Sequence, residues 1–151
     1  MPQIELRWLN CVWLLFPLLV WNLVLAPKIA LEQVTSDANS PAWLLATENL
    51  TRIIVFASPL LLQLRWDDAL SRSGWAVYLV GTLIYFASWI PLLLAPQSAW
   101  SQSTAGLLAP RLTPFLLFVG IAMIGNSLAY ALVSALFIAL HTWHGVQNLL
   151  Q

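Results

Sequence analysis

Charge is what this chain has least of. Only 8% of its 151 residues are Asp, Glu, Lys or Arg, six basic and six acidic, where soluble domains carry about 25%. A disordered chain needs low hydrophobicity with net charge, and a nucleic-acid binder needs a basic face. Neither is present, so no nucleic-acid partner is expected. Cysteine is nearly missing as well. The single Cys11 excludes an intrachain disulfide and any CxxC redox or zinc motif, and it reads as a buried, inert thiol. No P-loop, dinucleotide fingerprint or zincin motif occurs. No GxSxG elbow surrounds Ser98, Ser101, Ser103 and Thr104, which read as a capped interfacial turn. There is no internal repeat and no low-complexity tract.

What remains is apolar. Hydrophobic residues make up 60% of the chain, and most of the nine tryptophans lie near expected helix ends, where indole rings favour the membrane–water boundary. The reading is an all-α integral membrane protein, a four-transmembrane-helix bundle running up-down-up-down in one domain, 1–151. Its spans are about 8–26, 41–65, 75–95 and 114–144. A signal peptide at 8–26 is the competing reading, but the run is too long, holds three tryptophans, and a cut after Ala26 would leave Pro27 at the new terminus. Pro17 is placed to kink this helix. Residues 27–40 make a polar loop, Ser40 is a suitable N-cap and Pro41 suits the first helical position. The charged link from Arg65 to Gly74 joins antiparallel neighbours. Residues 96–113 read as an interfacial loop, and Thr113 and Pro114 cap and open the last span. With the N-terminus inside, Arg7, Arg65 and Arg72 face Lys28 and Arg111. That count favours both termini in the cytoplasm of a bacterial-type inner membrane.

The stretch from Ser40 to Trp66 organises the rest. To span about 30 Å its helix must start near Pro41, which carries Glu48, Asn49 and Arg52 into the membrane. Each charge there costs about 2.5–3.5 kcal/mol on insertion scales. Glu48 and Arg52 are four apart, so they share a face and can neutralise each other. Arg52, Pro59, Gln63 and Trp66 fall within about 60° of Glu48 at ~100° per residue, so this face should point inward. Tyr78, Thr82, Tyr85 and Trp89 form a second inward stripe, on the third span.

On the fourth span, Ser127, Ala131, Ala135 and Ala139 make a ladder of small side chains that lets another helix approach. That helix could belong to a partner or to a second copy of the chain. A second face carries Asn126, Tyr130, Ser134, His141 and His144. By depth, Glu48, Asn49, Arg52, Tyr85 and Trp89 fall at one level, with Asn126 nearer the middle. His141, His144, Gln63, Tyr78 and the Asp67–Asp68 turn fall at the other.

Intramembrane ionisable groups are candidates for function. The candidate ligand-binding residues are Glu48, Asn49, Arg52, Tyr85, Trp89, Asn126 and Tyr130. They would form a polar pocket that takes a membrane lipid, an isoprenoid or another amphipathic small molecule. The bland reading of Glu48 and Arg52 is a structural ion pair that locks the helix to its neighbours. Two further readings compete, an accessory subunit of a larger membrane complex and a small transporter or channel. The spacing of His141 and His144 could bring two imidazoles to one metal, but two histidines at a helix C-terminus also complement the helix dipole, and no metal is expected. No cofactor is implied, and no residue is assigned a catalytic role.

Overall fold

A computed structural model describes residues 9–25 and 40–149; the expected polar loop at 27–39 lies outside them. The described chain is helical throughout, with no strand. α1 is the apolar segment Cys11–Leu25, opened by a 3-10 turn over Cys11–Leu15 that Asn10 caps by accepting from the Val12 N–H at 3.2 Å. Pro17 stands just where that turn passes into α-helix. α2 is Ala42–Leu61, ending in a 3-10 turn over Ser58–Leu61 with Pro59 inside it. α3 is Ala69–Leu94, α4 Thr104–Leu112, α5 Pro114–Ile124 and α6 Leu128–Leu149. α4 and α5 meet end to end at Thr113 and Pro114 and together make one stretch, Thr104–Ile124, of spanning length. Among the described residues four helices are thus long and apolar enough to cross a membrane, and α1 is a shorter apolar helix beside them.

The bundle of four alternating helices expected from the sequence is present, but its members are different. The expected span 114–144 divides at Gly125, Asn126 and Ser127, between α5 and α6. Asn126 takes φ 49°, the left-handed conformation that Asn tolerates better than most residues, and the chain turns back on itself. The expected interfacial loop 96–113 contains α4, whose first turn Ser103 caps by accepting from the Gly106 N–H at 3.0 Å. α3 starts earlier than expected because Asp68 caps it, accepting from the Ser71 N–H at 2.7 Å. That same N–H holds the Asp68 carboxyl below the usual carboxylate range, with Arg65, at 2.9 Å, a lesser contributor. Ser40 does not cap α2. Pro41 is the cap residue, and the Ser40 hydroxyl lies 3.4 Å from the Asn148 side chain.

Directions follow from the contacts. Ser40 meets Asn148 and Phe56 meets Phe137, so α2 and α6 are antiparallel. α3 and α5 are antiparallel and close. A Cβ on Gly120 would stand 2.5 Å from the Tyr78 nitrogen, and one on Gly81 would stand 2.6 Å from the Leu117 nitrogen. In a lipid environment helices gain little by hiding apolar area from each other, and close backbone approach with van der Waals contact does the holding. α1 runs alongside α3 in the same direction: the Tyr78 hydroxyl donates to the Leu14 carbonyl at 2.8 Å and the Tyr85 hydroxyl to Asn22 at 2.6 Å. The start of α1 is tied to the end of α2 by Cys11 N–H to Leu62 O (2.8 Å) and Leu64 N–H to Leu9 O (3.2 Å).

Leu9 therefore lies at the end of the bundle that holds the 62–68 and 125–127 turns, and Leu149 lies at the other. The interior is built from Leu15, Leu18, Val55, Phe118, Ile121 and Phe137. Leu50, Ile53, Leu79, Leu83, Leu132 and Leu136 point outward and are exposed. Apolar residues on both sides of the helices fit a bundle embedded in a membrane.

Candidate functional site

Glu48 is the centre of the polar interior, 2% exposed in a protein whose surface is mostly apolar. The second turn of α2 turns it toward α6. Thr51 beside it is also buried and satisfies its hydroxyl on the backbone, donating to the Thr47 carbonyl at 2.9 Å and the Glu48 carbonyl at 3.0 Å. The carboxylate meets three donors. Oε1 accepts from Arg52 Nη2 and lies 2.9 Å from His141 Nδ1, while Oε2 lies 2.7 Å from His144 Nδ1. An ionised carboxylate can only accept, so both imidazoles carry their proton on Nδ1. This arrangement can hold, give or take a proton at the imidazoles, and it fixes their ring orientation. His141 is further ordered by stacking on Phe137, with centroids 5.5 Å apart and planes at 16°. The Arg52 guanidinium lies over the same Phe137 ring, 6.0 Å from its centroid, and also donates to Asn49 at 3.2 Å.

Beside this cluster a cavity of about 1050 Å³ opens among all six helices, at or above the upper end of ordinary ligand pockets, roughly 300–1,000 Å³. Its polar lining includes Arg52, Arg111, His141, Asn22, Gln97, Ser101 and Gln102. Its apolar walls are Leu18, Phe56, Tyr85, Trp89, Leu92 and Phe118, among others. Arg111 reaches the cavity along α6 at Gly145, where a Cβ would stand 2.7 Å from Arg111 Cδ and Nη1. A second hollow of about 500 Å³ lies at 63–67. One backbone segment forms all of its lining, far from the cluster.

The residues singled out from sequence divide accordingly. Arg52, Tyr85 and Trp89 line the cavity, with Glu48 behind His141 and Asn49 holding Arg52 from the outer side. Asn126 and Tyr130 are elsewhere. Asn126 is exposed at the turn at the opposite end of the bundle, and Tyr130 is buried edge-on against Phe118, 6.4 Å away. Sequence reasoning placed His141 and His144 at the wrong level, because a single last span carries them away from Glu48. With α6 reversed they return to it. Asn22 and Arg111 were also missed. The i, i+3 spacing of the histidines was visible, but only the chain reversal reveals the carboxylate they face.

Among the described residues no group of three or more His, Cys, Asp or Glu is placed to hold a metal ion; the two histidines spend Nδ1 on Glu48. The small-residue row on α6 is only partly covered, with Ala131 and Ala135 half-buried and Ala139 exposed. No family model matches this chain, and no curated protein or solved structure matches it either.

Proposed function

We propose that this membrane protein binds an amphipathic small molecule, a lipid or isoprenoid, with its headgroup beside Arg52, Arg111 and His141 and its tail along the apolar walls. One observation carries the reading: a cavity large enough for a lipid-sized molecule is charged in one region and lined by aromatic and aliphatic side chains in the rest. Charged side chains within a membrane-embedded bundle are costly, and a ligand headgroup offsets part of that cost. The Glu48 hub supplies rigidity, since it fixes Arg52 and His141 from behind.

Native mass spectrometry of the detergent-extracted protein tests this. One amphiphile per chain is expected, and it should be displaced in Leu92→Trp, which narrows the apolar wall. A parent protein that carries no amphiphile, and takes none up from added membrane lipid extract, contradicts the reading.

A second reading has its own observation. Ala139 is exposed and Ala131 and Ala135 only half-buried, so the row from Ser127 to Ala139 is open to a partner helix or a second copy. Ala135→Leu should then reduce the mass of the detergent-solubilised particle. A mass of one chain in the parent protein contradicts it.

A further inference from the structure

We propose that the amphiphile taken by this cavity, on the reading just given, carries a carbonyl oxygen, and that the side-chain amide of Asn22 is the donor that meets it. Arg52 and His141 reach the cavity from α2 and α6, whereas Asn22, Tyr85 and Trp89 form a separate polar wall on α1 and α3. Leu18 and Leu25, one turn to either side of Asn22 on α1, are buried, while Val20 and Val24 point the other way and are exposed. Asn22 stands at the edge of that buried face and is itself exposed, and its open surface belongs to the cavity it lines.

The orientation of the amide follows from its neighbours. An indole can only donate, whereas a phenol can do both. The buried Trp89 N–H faces the Tyr85 hydroxyl without closing a full hydrogen bond. The Tyr85 oxygen is therefore the receiving side toward Trp89, and its proton goes to Asn22 Oδ1 at 2.6 Å. With Oδ1 turned to Tyr85, the two amide N–H groups face away from it. That one bond ties α1 to α3, and it leaves the amide nitrogen without a hydrogen bond among the described residues. An amide N–H that meets only hydrocarbon is costly. Because Oδ1 already holds the Tyr85 proton, the group that answers this nitrogen needs only to accept. An ester or ketone carbonyl does so and brings no proton that needs a partner of its own.

The test is a ligand series on the unaltered protein in dodecyl maltoside, a detergent without a carbonyl, read by thermal shift and titration. The probes are methyl laurate, methyl undecyl ketone, dodecane and dodecyltrimethylammonium. The two carbonyl compounds are expected to raise the melting temperature in a saturable way. They should bind about three- to tenfold more tightly than the other two, the range of one net hydrogen bond, and their order tells an ester ligand from a ketone. The infrared carbonyl band of bound methyl laurate should move to lower frequency. In Asn22→Leu the preference for carbonyl compounds should vanish. Tyr85→Phe, which keeps the amide but frees its orientation, should reduce it in part. A purely structural Asn22–Tyr85 bond would lower the melting temperature of both variants and leave the preference untouched.

Dodecane or the ammonium compound binding as well as the carbonyl compounds overturns the carbonyl assignment and leaves the amphiphile reading standing. An unshifted carbonyl band, or a preference kept in a folded Asn22→Leu, overturns the role of Asn22 in the same way. No binding by either carbonyl compound also overturns the assignment, and failure of membrane lipid extract to bind as well overturns the amphiphile reading with it. The ligand series and the infrared band need no variant to fold, so they decide the matter even if Asn22→Leu does not.

Discussion

Removing the Glu48 carboxylate separates a hub from a simple ion pair. Its bond to Arg52 lies within α2, four residues apart, and survives in an isolated helix, so it adds little to packing. The Arg52 side chain is also 46% exposed, and such pairs contribute about 0–1 kcal/mol. The bonds to His141 and His144 cross from α2 to α6. Interhelical hydrogen bonds in membranes average about 0.6 kcal/mol with a maximum near 1.7. Those to charged groups contribute about 1.5–3 kcal/mol in soluble proteins. At 2.9 and 2.7 Å, on a carboxylate 2% exposed, the upper part of the membrane range applies.

Glu48→Leu should therefore destabilise by about 3 kcal/mol, twice that single-bond maximum, and Arg52→Leu by no more than about 1 kcal/mol. If only the pair mattered, Glu48→Leu/Arg52→Met would recover the loss. With the hub it does not, because two imidazole N–H groups remain without their acceptor. The assay is equilibrium unfolding in mixed micelles with rising dodecyl sulfate, including a Glu48/His144 double-mutant cycle, where a coupling of about 1.5 kcal/mol is expected. Arg52→Leu costing as much as Glu48→Leu, or a cycle that closes to zero, would refute the reasoning.

Three other outcomes are expected. Gly120→Val should overpack the α3–α5 contact and lower stability by about 1–3 kcal/mol or more, since its Cβ would meet the Tyr78 backbone; an unchanged melting curve would mean the helices stand apart there. Asn126→Gly should be nearly neutral, while Asn126→Val should cost about 1–2 kcal/mol for a left-handed β-branched residue; equal melting temperatures would argue against the positive φ. Asp68→Ala should lower the melting temperature through loss of the α3 cap. Because the Asp68 carboxyl titrates below its ordinary range, its contribution is complete above that range and is lost as pH falls through the depressed value. The gap between parent and variant should narrow in acid, and a constant gap down to low pH would count against the charged cap.

The helical, membrane-suited character of the chain was legible because it rests on scarcity of charge and on long apolar runs. The Glu48–Arg52 pair was legible because i, i+4 spacing within one helix does not depend on tertiary structure. The inward stripe of the third span was legible too: Tyr78 and Tyr85 are 5% and 2% exposed. The chain reversal at 125–127 was not read, although two signals were present. A helix over 114–144 would run about 45 Å at ~1.5 Å per residue, well beyond a core of about 30 Å. Gly125-Asn126 is also a turn dipeptide. Hydropathy hid both, since apolar residues continue on either side with no charge to mark the break. That one error moved His141 and His144 across the membrane and left Glu48 with a single partner.

The cluster, the cavity and the ligand reading all depend on α6 running back alongside α2. Sided labelling of single cysteines, in a Cys11→Ser background at Asp67, Gln102 and Asn126, tests this most directly. A membrane-impermeant thiol reagent should reach Asp67→Cys and Asn126→Cys from one face of the membrane and Gln102→Cys only from the other. Asn126→Cys shielded within the bilayer, or labelled from the side of Gln102→Cys, would contradict the reversal and dismantle the site built on it.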